Sequence, residues 1–353
     1  MGREDSPARM ADPTNPSPPP VRPTRGSLPP GAEFAGRFVL RRRIGRGSMG
    51  AVYEAERLED GAVVALKLSA LGAAGDARAR RRFEREAEAA RKIESPHVAR
   101  ALASGEDATT GSAWIAFELA RGPTLDVYVR EHPELSLAAA ARLLAGLGDA
   151  LAAAHRAGVV HRDLKPENLR VEERDGVPHL LVLDFGIAKE FAGLEVSATA
   201  PGLGTPLWVA PEQSREGYTA APSADVWAFG LLAFFVLTGH LYWRHAAAAS
   251  SLADLAIELL KSPLEPASVR ARALGLKKPL PRNFDAWFSH AVNRDPAARF
   301  ADGVAASEAL AAVLATSSER SGPVVERPWW LILLLVGALS GVGYALAQML
   351  RAH

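Results

Sequence analysis

Apolar and polar positions follow two rhythms along this chain. Short apolar runs with β-branched and aromatic residues predict strands at Phe38-Val39-Leu40, at Ala62-Val63-Val64-Ala65-Leu66-Lys67-Leu68 and at Trp114 to Ala120. Between the second and third runs the period changes. From Asp76 to Ile93 the apolar residues Phe83, Ala87, Ala90 and Ile93 recur at helical spacing. Leu137 to Ala157 is rich in alanine and leucine and stops at Gly158, which predicts a helix with a glycine cap. Leu169-Arg170-Val171 and Leu180 to Leu183 read as short strands. Asp225 to Gly239, through Phe234, Phe235 and Leu237, predicts a buried central helix, since it is too short for a bilayer and begins with an Asp. From Tyr242 to Pro281 the pattern is irregular and assigns no helix.

The two ends follow neither rhythm. Residues 1–35 are punctuated by prolines, Pro18-Pro19-Pro20 among them, and each removes a donor and fixes φ. A disordered tail is expected, with no apolar segment of the kind a secretory signal needs. At the other end a polar linker, 316–328, leads into Trp329 to Leu350, which carries no charge. As a helix that run spans roughly 33 Å, enough for a hydrocarbon core. Trp329 and Trp330 at one end and Arg351 at the other suit the two interfaces, leaving a short tail, 351–353. Gly337, Gly341 and Ala345 would share one helix face, where two such helices can approach closely.

Composition narrows the picture only a little. A chain of 353 residues holds two average domains, or one larger domain with tails. With 48% hydrophobic and 23% charged residues it can bury a sizeable core, and a net charge of +1 argues against a nucleic-acid partner. There is no cysteine, so disulfides and thiolate metal sites are excluded.

The chemistry is concentrated in His161-Arg162-Asp163-Leu164-Lys165-Pro166-Glu167-Asn168. A carboxylate, an amine and an amide fall within a short loop. Phosphoryl transfer asks for that set: a proton acceptor for a hydroxyl, a cation near the moving group and an oxygen ligand for Mg²⁺. Ile44-Gly45-Arg46-Gly47-Ser48-Met49-Gly50-Ala51-Val52-Tyr53 carries a G-x-G-x-x-G. A dinucleotide turn of that form would lead into a helix, whereas Val52 and Tyr53 lead into strand-like sequence, so a hairpin folded over phosphates is expected. Lys67 sits inside an apolar strand, where a charge needs a partner. Asp184-Phe185-Gly186 follows the apolar run Leu180 to Leu183.

On these motifs the chain resembles the protein kinase family, and Lys165 resembles its Ser/Thr branch. The resemblance covers residues 36–315 and implies an α+β, two-lobed kinase fold with a small β-rich lobe and a large helical lobe, followed by the C-terminal transmembrane helix. It implies ATP and Mg²⁺ as cofactors and proteins with Ser or Thr hydroxyls as substrates. Asp163 would be the base and Lys165 would neutralise the γ-phosphate. Lys67, aimed by Glu86 rather than by Glu84 or Glu88, would hold the α- and β-phosphates. Asn168 and Asp184 would bind Mg²⁺. Ile44, Gly45, Gly47 and Gly50 would cover the nucleotide, Val52 and Ala65 would flank the adenine, Phe117 would be the gatekeeper, and the backbone at Glu118 and Ala120 would bond the ring.

The resemblance extends to regulation and architecture. Between Gly186 and Pro211 it implies an activation segment, in which a phosphate on Ser197 or Thr199 could pair with Arg162 and Lys189. Thr205 would bond the catalytic loop, Glu212 would pair with Arg299, and Asp225 would bond the catalytic-loop backbone. One position departs from the family. Arg170 stands where the family places an apolar residue under the adenine; its methylene stem could cover the ring while the guanidinium turns outward. The expected protein is a Ser/Thr kinase tethered to the cell membrane by Trp329 to Leu350, with its kinase domain cytoplasmic, no extracytoplasmic sensor domain, and dimerisation through Gly337 and Gly341. The alternative class is a pseudokinase acting as a membrane-bound scaffold, which Arg170 alone supports.

Overall fold

The computed structural model describes residues 28–47, 50–69, 77–185, 207–215, 217–246 and 252–318. Lys189, Ser197, Thr199, Thr205 and the apolar run from Trp329 to Leu350 lie outside the described residues. The chain divides into two compact units. One runs to Lys92 and adds Ala99–Ala120; the other comprises Ile93–Val98 and the chain from Arg121 onward.

The first unit is an antiparallel sheet with a helix. Its strands are β1 (Glu33–Phe34), β2 (Phe38–Gly47), β3 (Gly50–Arg57), β4 (Val63–Ser69), β5 (Ala101–Glu106) and β6 (Ala113–Glu118), in the order β1-β2-β3-β4-β6-β5. Alternation along β4 explains the layering. Val64, Leu66 and Leu68 are buried and join Phe34, Phe38, Leu40, Tyr53, Ala55 and Trp114 in one core. The side chains between them face the other way. On that second side helix α1 (Ala77–Lys92) packs Phe83 and Ala87 against Ala113 and Ile115. Strand β6 is thus covered on both faces, which is why Trp114-Ile115-Ala116 reads as a continuous apolar run.

The N-terminal boundary is a correction. Residues 28–35, which the expected tail included, are described as structured chain: Leu28 N–H donates to the Tyr53 hydroxyl at 3.0 Å, and Glu33–Phe34 form β1. Gly31 N–H donates to the Leu40 carbonyl, and Phe34, paired with Phe38 across β1 and β2, is only 5% exposed. A strand of two residues is too short to show a period, and only its aromatic side chain finds a core.

The second unit holds α2 (Leu125–Glu131), α3 (Leu137–Arg156), the hairpin β7 (Leu169–Arg174) with β8 (Val177–Val182), α4 (Pro222–Thr238), α5 (Leu252–Leu260), α6 (Ala267–Ala273), α7 (Phe284–Ala291) and α8 (Gly303–Ser318). All of α5 and α6 fall where the sequence assigned nothing. Ser136 caps α3 by accepting from Ala139 N–H, and Gly158, at φ +72°, turns the chain out of it. Among the described residues α3 is the one helix long and apolar enough to cross a membrane, yet most of that surface is buried inside the unit. It lies so close to α8 that a Cβ on Gly148 would collide with the Ser307 hydroxyl. Helix α4 is apolar all round and buried nearly throughout, as a central helix must be. Gly239, at φ +73°, ends it.

Candidate active site

In the first unit, register places the nucleotide candidates on one surface. Val52 pairs with Lys67, and Ala65 with Phe117, so these side chains share the sheet face that α1 also covers. Helix α1 turns Glu86 inward, 2% exposed, while Glu84 and Glu88 face solvent. Glu86 Oε1 lies 2.5 Å from Lys67 Nζ, so the partly buried lysine of this apolar strand has its countercharge. Ile44 and Gly45 belong to β2, where Gly45 pairs with Val52 and Gly47 with Gly50. The hairpin expected from the glycines is therefore formed. Gly50, at φ +148°, occupies a conformation L side chains rarely adopt. Glu118 directs its carboxylate to Arg100 at 2.7 Å, and Ala120 is the last residue before the chain enters the second unit.

In the second unit the catalytic-loop residues converge. Asp163 Oδ2 accepts from Lys165 Nζ at 3.0 Å. Asn168 Nδ2 donates to the Asp163 carbonyl at 2.7 Å and to its carboxylate at 3.3 Å. Leu183 N–H donates to the Asn168 carbonyl at 2.8 Å, which sets Asp184 beside this loop. Arg162 and Asp184 both adopt the left-handed conformation, at φ +65° and +48°. Two non-glycine residues held there, within one small region, mark a backbone that the surrounding bonds over-determine.

Those bonds centre on Asp225. Its Oδ1 accepts from Arg162 N–H at 2.8 Å, and its Oδ2 from His161 N–H at 2.7 Å and His155 Nε2 at 2.9 Å. His155 Nδ1 in turn accepts from Gly303 N–H at 2.9 Å, which leaves the ring proton on Nε2. His161 works in the same way. Its Nε2 donates to the Leu183 carbonyl at 3.0 Å, and its Nδ1 accepts from Asp163 N–H at 3.3 Å. Burial pushes its pKa below the ordinary imidazole value, against the opposing pull of Asp225, Asp163, the Leu183 carbonyl and Asp184. Gln213 adds a further tie, donating to the Arg162 carbonyl and accepting from Ala210 N–H.

Glu212 and Arg299 meet as a two-bonded, buried fork, at 2.7 and 2.8 Å. Arg299 also donates to the Ser223 and Asn293 carbonyls and lies 5.0 Å from the centre of the Trp227 ring. Sequence reasoning assigned no role to His155, His161 or Gln213. A lone histidine within the Ala/Leu run of α3 was the available signal for the first.

Arg170 Nη1 donates to the Gly122 carbonyl at 3.1 Å. Of the phosphate-binding candidates expected for the activation segment, Arg162 is described and Lys189 is not.

The residues present suit a hard divalent cation. Asn168 spends its amide nitrogen on Asp163, which leaves its oxygen for a ligand, and Asp184 is exposed beside it. Among the described residues no three His, Cys, Asp or Glu side chains form a metal cluster.

A β-rich unit followed by a helical unit, with a loop of this constitution leading into the β7–β8 hairpin, defines the protein kinase fold. Comparison with known proteins agrees. Residues 38–311 match the protein kinase domain family, and the chain belongs to it. It is 31% identical to the serine/threonine-protein kinase PknA of Mycobacterium tuberculosis over 288 residues, 81% of this chain and 63% of that protein. Similarity to the serine/threonine-protein kinase PknL of Mycobacterium bovis is comparable, 31% over 277 residues, 78% of this chain and 65% of the relative. The chain thus spans somewhat under two thirds of the length of these curated relatives. The crystal structure of the Mycobacterium tuberculosis PknI kinase domain, as a C20A_R136A double mutant, superposes with a TM-score of 0.60 at 25% identity, covering 82% of this chain and 99% of that one. A crystal structure of Rad53 1-466 in complex with AMP-PNP shares the fold, with a TM-score of 0.60 at 23% identity over 78% of this chain and 65% of that one.

Proposed function

We propose that the chain is a Ser/Thr protein kinase that transfers the γ-phosphate of ATP to protein hydroxyls. The observation that carries this reading is the Asp163–Lys165–Asn168 cluster, in which an acceptor carboxylate stands 3.0 Å from an ammonium group. Asp163 takes the proton as the substrate hydroxyl attacks, and Lys165 offsets charge on the transferred group. Lys67, oriented by Glu86, holds the α- and β-phosphates, while the backbone at Glu118 and Ala120 receives the adenine between Val52 and Ala65. Asn168 and Asp184 are the residues that would hold Mg²⁺, which, when bound, neutralises phosphate charge. The names of the mycobacterial relatives support the Ser/Thr class.

The test is the full chain with labelled ATP and Mg²⁺, followed by mapping of the phosphorylated residues. Asp163→Asn should abolish transfer and keep nucleotide binding, because the base acts on the acceptor. Asp184→Asn should weaken Mg²⁺-dependent binding instead. Near-normal phosphorylation by the Asp163 variant, free of other kinases, would remove that residue from its role.

The proposal extends to regulation and to the membrane. Ser197 or Thr199 is the expected site of self-phosphorylation, with Arg162 and Lys189 receiving the phosphate. Trp329 to Leu350 tethers the kinase to the cell membrane, on the cytoplasmic side where ATP is found. Gly337 and Gly341 offer a face for self-association, which would raise the local concentration of kinase domains and favour phosphorylation in trans. Gly337→Ile with Gly341→Ile should lower energy transfer between labelled copies in bilayers at matched lipid ratio. Equal transfer would exclude that face.

A further inference from the structure

The chain leaves the first unit at Ala120 and enters the second as a strap, residues 121–124, before α2 begins. Strand β7 holds that strap residue by residue. Thr124 and Arg170 form an antiparallel bridge, and Val171 N–H donates to the Pro123 carbonyl at 3.0 Å. Glu172 Oε1 accepts from Arg121 N–H at 2.6 Å. Gly122 adopts φ +87° and lies so close to β7 that a Cβ there would collide with the Val171 carbonyl oxygen. The Gly122 carbonyl is engaged by the Arg170 guanidinium at 3.1 Å.

Two of these ties come from β7 main chain and two from its side chains. An arginine is suited to the Gly122 tie. Its planar donors meet a carbonyl without losing the strand position of the Cα. A hydrogen bond from a charged donor outweighs a neutral one, and a partly exposed site reduces that advantage without removing it. Leucine at this position would leave the Gly122 carbonyl to water and keep only the main-chain tie at Pro123 in the middle of the strap.

We propose that Arg170 is a positioning residue of the nucleotide site: by holding the Gly122 carbonyl it fixes the strap on β7, and with it the backbone of Ala120 two residues upstream. This rests on the reading that the Ala120 backbone bonds the purine. It assigns Arg170 a gain in nucleotide affinity, where a guanidinium replacing an apolar cover for the ring would bring a loss. The two accounts predict opposite signs.

The test uses the full chain in detergent and measures the Kd of adenosine and of AMP-PNP with Mg²⁺ by calorimetry, with kcat and KM for ATP alongside. Arg170→Leu should raise both Kd values and KM by a similar factor, about threefold to tenfold for one hydrogen bond, and leave kcat within about twofold. Arg170→Lys, which keeps a donor, should recover most of the loss. Glu172→Ala, which frees Arg121 N–H, should shift adenosine in the same direction and keeps the proposal testable if Arg170→Leu folds poorly. Unchanged or tighter adenosine binding by Arg170→Leu overturns the proposal, as does a loss seen with AMP-PNP but not with adenosine, since the guanidinium would then act on phosphates. Lys67→Ala separates the two levels. If it loses AMP-PNP affinity while Arg170→Leu loses none, the nucleotide site stands and the positioning role falls. If it keeps full affinity, both fall.

Discussion

Lys67 Nζ and Glu86 Oε1 stand 2.5 Å apart, joining strand β4 to helix α1, and the two side chains are unequally buried, 15% and 2% exposed. The inequality predicts unequal costs. Removing the lysine takes the countercharge from a carboxylate that cannot reach water, while removing the glutamate leaves an amine that can swing toward solvent. Lys67→Met should therefore destabilise the protein by about 3 kcal/mol, and Glu86→Gln by less. Both should lower kcat/KM by about 100-fold or more, if one positioned cation on the phosphates is worth what one transition-state donor is in other enzymes. Urea titration and steady-state kinetics on the same preparations check the two statements separately.

Asp225 is the acceptor on which the catalytic-loop backbone hangs. Asp225→Asn replaces one oxygen by a donor facing N–H groups that already donate, so at least one of the bonds from His161, Arg162 and His155 must break. A loss of about 1–3 kcal/mol in stability is expected. Transfer should fall further than ATP binding, because the loop carries the base. His155→Gln, which keeps a donor and an acceptor, should be milder than His155→Phe in both measurements.

The enclosed Glu212–Arg299 fork makes a second double comparison. Arg299→Met leaves a buried carboxylate without its guanidinium and should cost about 3–5 kcal/mol. Adding Glu212→Leu should recover a large part, since an apolar pair of similar volume needs no desolvation. If the double variant is as unstable as the single one in urea, the Trp227 and Ser223 contacts of Arg299 carry the stability instead.

His161 sets a pH dependence. Its folded pKa lies below the ordinary value of 6.5 because the ring is buried. Between that depressed value and about 6.5 the unfolded chain binds more protons than the folded one, so stability rises with pH across this window. Protonation would also place an N–H on Nδ1, against the Asp163 N–H that this nitrogen accepts. The midpoint of thermal unfolding should fall as pH drops below about 6.5. His161→Phe, which removes the titrating group, should flatten that part of the curve, and an equal slope in the variant would assign it to other groups.

Much of the protein was legible from its sequence. The helical period of α1 and α3, the glycine ending α3 and the apolar run of α4 are signals that act within a few residues, so sequence spacing carries them. The same is true of Asp163, Lys165 and Asn168, which one loop holds together. Their bonds span at most five positions of chain. Other outcomes depend on packing between distant segments. Glu84, Glu86 and Glu88 share a helix, and only the seating of α1 on Ala113 and Ile115 makes the middle one the buried partner. His155 looked like one polar residue in an apolar helix until α4 brought Asp225 to one nitrogen and the start of α8 brought Gly303 to the other. Phe34 read as tail because a two-residue strand has no period, and it is ordered by a core built from β2, β3, β4 and β6.

Arg170 divides the two kinds of knowledge most clearly. Its position in a short strand after Asn168 followed from sequence alone, as did its departure from the family pattern. Where its guanidinium goes did not, because the Gly122 carbonyl lies 48 positions away and faces β7 only when the strap folds back on it. Residue type and spacing determine which groups a chain can offer. Tertiary packing decides which of them meet, since a hydrogen bond is won or lost over less than an ångström and no local period encodes that distance.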